Sequence, residues 1–158
     1  MINSKNNITI KSVNVNNYAK KITIEVKGEV YNIPFAKLTT KPTRQNPVIE
    51  IFVDQELASE AVTYMLKNGE VDSIPFDAFL DYNRNPDYLK KMFLFEMTNV
   101  ALNKLKSTQL SKNEICKRLR TSPSQLARLL DPTNTKKTMD KMLELLVILG
   151  ADIQLKCA

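Results

Sequence analysis

The sequence predicts an α+β chain: a small N-terminal part made of a β-hairpin, a strand and a helix, then an all-helical part and a short C-terminal strand. Three observations carry this. Between Lys21 and Ile33 apolar and polar residues alternate on both sides of a Lys27-Gly28 turn signal. From Asn85 onward helix starts recur, at Asn85-Pro86, at Ser111 and at Ser122-Pro123. Near the end Ile153, Leu155 and Cys157 alternate again across Ala151 to Cys157.

In chain order, residues 1–17 are polar and Asn-rich and read as a flexible tail. A first domain over 18–84 opens with the hairpin, whose inner face is Ile22, Ile24 and Val26. Pro34 ends it, and residues 36–47, rich in Thr, Lys and Pro, read as a loop. Val48 to Val53 is apolar enough for a third strand. Asp54 is placed to cap a helix over Gln55 to Lys67, stopped by Asn68-Gly69. Pro75 to Tyr82 reads as a short helix. The second domain, 85–158, begins with a helix to about Lys106. Its Met92-Phe93-Leu94-Phe95 run is apolar around most of the circumference, which predicts burial in the core or at a subunit interface.

Composition removes several function classes. The 158 residues contain no histidine, so His triads, His general bases and His metal ligands are excluded. Cys116 and Cys157 belong to no CxxC pair, and this sparse use fits a reducing cytoplasm. Three glycines form no phosphate-cradling motif. Asp77 and Asp81 are four apart, but they lack a third ligand at a convincing spacing. The expectation is a protein without cofactor or metal, and no enzyme. No signal-peptide core opens the chain, and its longest apolar stretch, near Leu145 to Leu149, is far too short to span a membrane. Charge is divided unevenly. Residues 1–85 are neutral, so the net +6 comes from residues 86–158. Lys104 to Lys141 holds ten basic residues against Glu114, Asp131 and Asp140, whereas Glu50 to Asp81 holds eight acidic residues against Lys67. The basic end is a plausible polyanion contact.

The informative segment is Ser111 to Asp131, SKNEICKRLRTSPSQLARLLD. Ser111-x-x-Glu114 and Ser122-x-x-Gln125 are two capping boxes, the second with Pro123 in its first turn. Only Arg120 and Thr121 separate the helices, which are therefore short and steeply crossed. Ile115 and Leu119 on one face Leu126, Leu129 and Leu130 on the other, and Cys116 supplies a small side chain where they approach. This is helix-turn-helix geometry. The stretch resembles the Xre/Cro-type helix-turn-helix family of bacterial and phage repressors, with NEICKRLRTSPSQLARLLD as scanning helix, turn and recognition helix and KTMDKMLELLVILG as the packing helix. It departs from the family at Arg120, where glycine is usual.

That resemblance implies double-stranded DNA as a partner. Ser124 and Arg128 share a face, flanked by Gln125, and these side chain types read base edges in the major groove, Gln on adenine and Arg on guanine. Gln125 has a competing use in its capping box. Lys112, Arg118, Arg120, Lys136 and Lys137 are the expected phosphate-side contacts, together with Lys117. Thr121 and Ser122 are also expected at the DNA interface, with the Ser122 hydroxyl occupied by capping. A homodimer on a two-fold operator is expected. Small chains that join an Xre-type reader to an α+β part also resemble antitoxins of toxin–antitoxin pairs, and the acidic stretch suits a basic toxin. The alternatives are a stand-alone regulator whose N-terminal domain only dimerises, and a protein-interaction module that has lost DNA binding.

Overall fold

The computed structural model describes residues 8–158. The chain divides into two compact units, with the boundary between Tyr88 and Leu89.

The first unit is built on two antiparallel sheets. One contains β1 (Ser12–Asn16), β2 (Lys21–Val26) and β3 (Glu29–Pro34), in that order. The other contains β4 (Val48–Val53), β5 (Ala61–Leu66) and β6 (Val71–Pro75), and α1 (Phe76–Tyr82) follows. The alternating residues pack inward from both sheets: Ile22, Ile24, Val26 and Ile33 meet Val48, Val62, Tyr64, Leu66 and Ile74 in one core. The β2–β3 turn uses Lys27 at φ 51° and Gly28 at φ 83°, both positive as a two-residue type I′ turn demands.

The two sheets are copies of one pattern. GEVYNIPF over 28–35 recurs as GEVDSIPF over 69–76. In each copy a glycine with positive φ leads into the last strand, a proline ends it, and a buried phenylalanine follows, Phe35 in a single 3-10 turn and Phe76 in α1. Thr23 hydrogen-bonds Asn32 in the first sheet as Thr63 does Ser73 in the second. The copies interlock at the Tyr31 and Phe76 rings, edge to face at 5.6 Å.

Several sequence expectations are corrected. The first part is not a hairpin, strand and helix; it holds six strands. The predicted helix over Gln55 to Lys67 is instead a turn followed by β5. Asp54 does cap, but it accepts from the N–H groups of Glu56 and Leu57 in a tight turn, and Ala58 and Ser59 then take positive φ. From Ala61 nearly every side chain is buried, Val62, Tyr64 and Leu66 in the shared core and Thr63 through its hydroxyl bonds to Asp54 and Ser73, so periodicity alone does not decide the outcome. A central strand pairs on both edges, with β4 and β6, and that pairing overrides helix propensity. The expected tail also contains structure: β1 lies within it, and Ile10 is buried with its N–H on Ser59 O. Residues 1–7 of that tail lie outside the described residues.

The second unit carries α2 (Pro86–Leu105, its first turn before the boundary), α3 (Lys112–Leu119), α4 (Pro123–Leu129) and α5 (Met139–Ile148). Its core joins Leu94 and Ala101 of α2 to Ile115, Leu119, Leu126, Leu129, Met142, Leu145 and Leu146. Within the single chain the apolar Met92–Phe95 run is not buried all round, so its expected burial in the chain's own core is corrected. Leu94, Thr98 and Ala101 form one buried stripe, while Met92, Phe93 and Phe95 are exposed. The expected C-terminal strand is also absent: Gly150, at φ 71°, ends α5, and residues 151–158 take no regular structure. The chain is thus α+β with strands in the first half and helices in the second. Among the described residues no helix is long and apolar enough to cross a membrane.

Candidate nucleic-acid interface

The α3–turn–α4 segment is assembled from local rules. Ser111 Oγ accepts from the Glu114 N–H at 3.2 Å, and the Glu114 carboxylate accepts from the Ser111 N–H at 3.1 Å, closing a full capping box. At the other end Arg120 adopts the left-handed conformation, φ 53° and ψ 50°. Its N–H reaches Lys117 O and the Thr121 N–H reaches Cys116 O, the paired bonds of a Schellman stop. Two residues later Ser122 Oγ caps α4 by accepting from the Gln125 N–H at 3.2 Å. Leu126 and Leu129 on α4 then turn inward onto the core shared with α3 and α5.

The outward side of α4 is the polar one. Ser124, Gln125, Ala127 and Arg128 are all exposed. Only the Ser122 half of the second capping box forms: the Gln125 side chain returns no bond to Ser122, so its amide projects free on that face. Arg128 makes no ion pair among the described residues, and its carbonyl accepts from Asn134 Nδ2. Arg120, Thr121 and Ser122 line an open hollow of about 610 Å³ together with Asn113, Lys117 and Pro123. Arg118 lies exposed in the last turn of α3. Lys112 opens the same helix, ~9 Å back along its axis. Lys136 is exposed ahead of α5, its N–H bound to Asn134 Oδ1.

Lys137 does not join this surface, contrary to expectation. Its side chain is buried, 7% exposed, and Nζ donates to Thr98 Oγ1 at 2.6 Å, Leu129 O at 2.8 Å and Asp131 O at 2.7 Å. All three ammonium protons are used, leaving none for a phosphate. Burial pushes this ammonium below the usual lysine range, and the nearby Asp131 carboxylate opposes the shift. Asp131 is itself held below the usual carboxylate range by bonds from the Thr133 hydroxyl and N–H. Nothing in the spacing of Lys136-Lys137 distinguishes the two. Which one turns inward follows from the Asp131–Thr138 loop, where Asn134 binds back to Arg128 O and Lys136 N–H.

Ala127 lies exposed on the outward side of α4 and Asn113 lines the hollow; residue type singled out neither in the sequence. Among the described residues no group of three His, Cys, Asp or Glu side chains is arranged to hold a metal ion; Asp77 and Asp81 lie on α1, and Asp81 approaches Arg84 at 4.0 Å.

No family model, curated protein or solved structure matches the chain.

Proposed function

We propose that this protein is a cytoplasmic, sequence-specific DNA-binding repressor, with α4 as the reading helix, and not an enzyme. One observation carries the reading. The two capped helices leave Ser124, Gln125 and Arg128 together on an exposed face, in the most basic stretch of the chain. Arg128 reads guanine and Gln125 adenine in the major groove. Lys112, Lys117, Arg118, Arg120 and Lys136 supply phosphate contacts around them, and the hydroxyls of Thr121 and Ser122 border the same hollow. The protein acts as a homodimer on half-sites about 34 Å apart.

The first unit supplies a second activity in this reading. Its acidic stretch, Glu50 to Asp81, receives a basic protein, as in the antitoxin of a toxin–antitoxin operon that neutralises its partner and represses its own transcription. The exposed Phe93 and Phe95 on α2 favour a variant in which the protein also associates through its second unit.

The deciding experiment selects bound sequences from a randomised duplex pool in low salt, then compares parent and Arg128→Ala by band shift. The parent enriches a two-fold sequence. Arg128→Ala loses about 1–3 kcal/mol of preference at one base pair per half-site while keeping its helical circular dichroism. A parent that enriches no sequence, or an Arg128→Ala variant with unchanged base preference, overturns the reading.

A further inference from the structure

We propose that Lys137 is a positioning residue for α4: it ties the carbonyl end of that helix to α2 and so sets the angle at which Ser124, Gln125 and Arg128 are presented. The inference rests on the DNA reading above and extends it to a residue that touches no DNA.

The geometry has three anchors. The last carbonyls of a helix have no partner within it. Here Leu129 O, the last residue of α4, and Asp131 O just beyond it both accept from Lys137 Nζ, at 2.8 and 2.7 Å. The third bond goes to Thr98 Oγ1 at 2.6 Å, on the buried stripe of α2. Thr98 in turn donates to Leu94 O at 2.6 Å, one turn earlier in α2. A continuous chain of hydrogen bonds thus runs from the α2 backbone through two side chains to the α4 backbone. Thr98 is fully buried, and no buried side-chain nitrogen or oxygen among the described residues lacks a partner.

Stability alone does not account for a lysine at this place. Taking an ammonium out of water costs more than an apolar side chain of the same volume, such as methionine. What the ammonium adds is direction. Leucine contacts between α4 and its neighbours tolerate sliding and rotation, whereas three bonds to fixed acceptors do not. The positive charge also sits at the negative end of α4.

The test uses the full-length protein with the duplex that the parent selects and a scrambled duplex of equal length. Lys137→Met removes the clamp, Thr98→Val removes only its α2 anchor, and Thr98→Ser keeps the hydroxyl. Both of the first two variants lose about tenfold or more in affinity for the selected duplex. Affinity for the scrambled duplex changes less than about twofold, because the exposed phosphate-side cations remain. Thr98→Ser keeps the parent ratio. A role in folding alone predicts that the ratio stays at the parent value in Lys137→Met and Thr98→Val as well, so the drop in those two variants is what separates the readings. Where Lys137→Met fails to fold, Thr98→Val against Thr98→Ser carries the comparison. An unchanged selected-to-scrambled ratio in the folded variants, beside a selective parent, overturns the positioning role alone. A parent that selects nothing overturns the DNA reading and this role together.

Discussion

Arg120 occupies a backbone conformation that suits glycine, because a Cβ at φ 53° crowds the following carbonyl. The Schellman bonds hold it there, so the turn is made at a cost that the sequence retains along with the cation. Arg120→Gly is expected to raise stability by about 0.5–1 kcal/mol in chemical denaturation while weakening duplex binding through the lost charge. A lower denaturation midpoint would mean the arginine side chain holds the turn. Lys137 gives a second prediction. Its folded-state pKa lies below the unfolded value of about 10.5. In the window between them the unfolded chain binds more protons, so the Lys137 contribution to stability rises as pH climbs toward 10.5. Buried Tyr64, bonded to Thr40 O and near Asp72, is shifted upward and acts in the opposite direction there, but equally in any variant. The gap in stability between parent and Lys137→Met is therefore expected to change across that window. A gap constant with pH would place the ammonium in water.

At the scale of elements, α4 has only seven residues and is too short to hold itself. It depends on its cap and on two leucines. Ser122→Ala removes the oxygen that accepts from the Gln125 N–H and is expected to cost about 1 kcal/mol. Leu126→Ala, at a site 2% exposed, is expected to cost about 2–5 kcal/mol. Thermal unfolding of the two variants checks both. A Leu126→Ala midpoint equal to the parent's would mean that the helix faces the other way and that Arg128 points inward. The α3–α4 pair was legible because caps, prolines and leucine spacing all act within a few residues. β5 was not, since Ala61 to Leu66 satisfies both a strand and a helix pattern, and only its two neighbouring strands choose between them. The GEVxxIPF repeat was in plain view as sequence, and it marks β5–β6 as a second copy of the β2–β3 hairpin.

For the whole molecule, charge division is the feature that a bulk measurement reads. A duplex contact through the second unit releases counterions in proportion to the phosphates met. Removing one exposed phosphate-side cation, as in Lys136→Ala, is expected to flatten the slope of log affinity against log salt by about 0.9. Lys137→Met is expected to leave that slope unchanged, because its charge faces carbonyls and not solvent. Equal flattening in the two would contradict the buried placement.

Read alone, the chain determined the helix boundaries of the second half, the hairpin and its turn, and the polar face of α4. Each of these is set by residues within one or two turns of one another. Tertiary structure decided the rest. It made a strand of Ala61–Leu66, gave Ile10 a place in a core, and left Ala151 to Cys157 without a partner strand. It also separated Lys136 from Lys137, sending one to solvent and the other thirty-nine residues back to Thr98. Such choices depend on which distant groups offer a hydrogen bond or an apolar surface, and spacing along a chain does not carry that information.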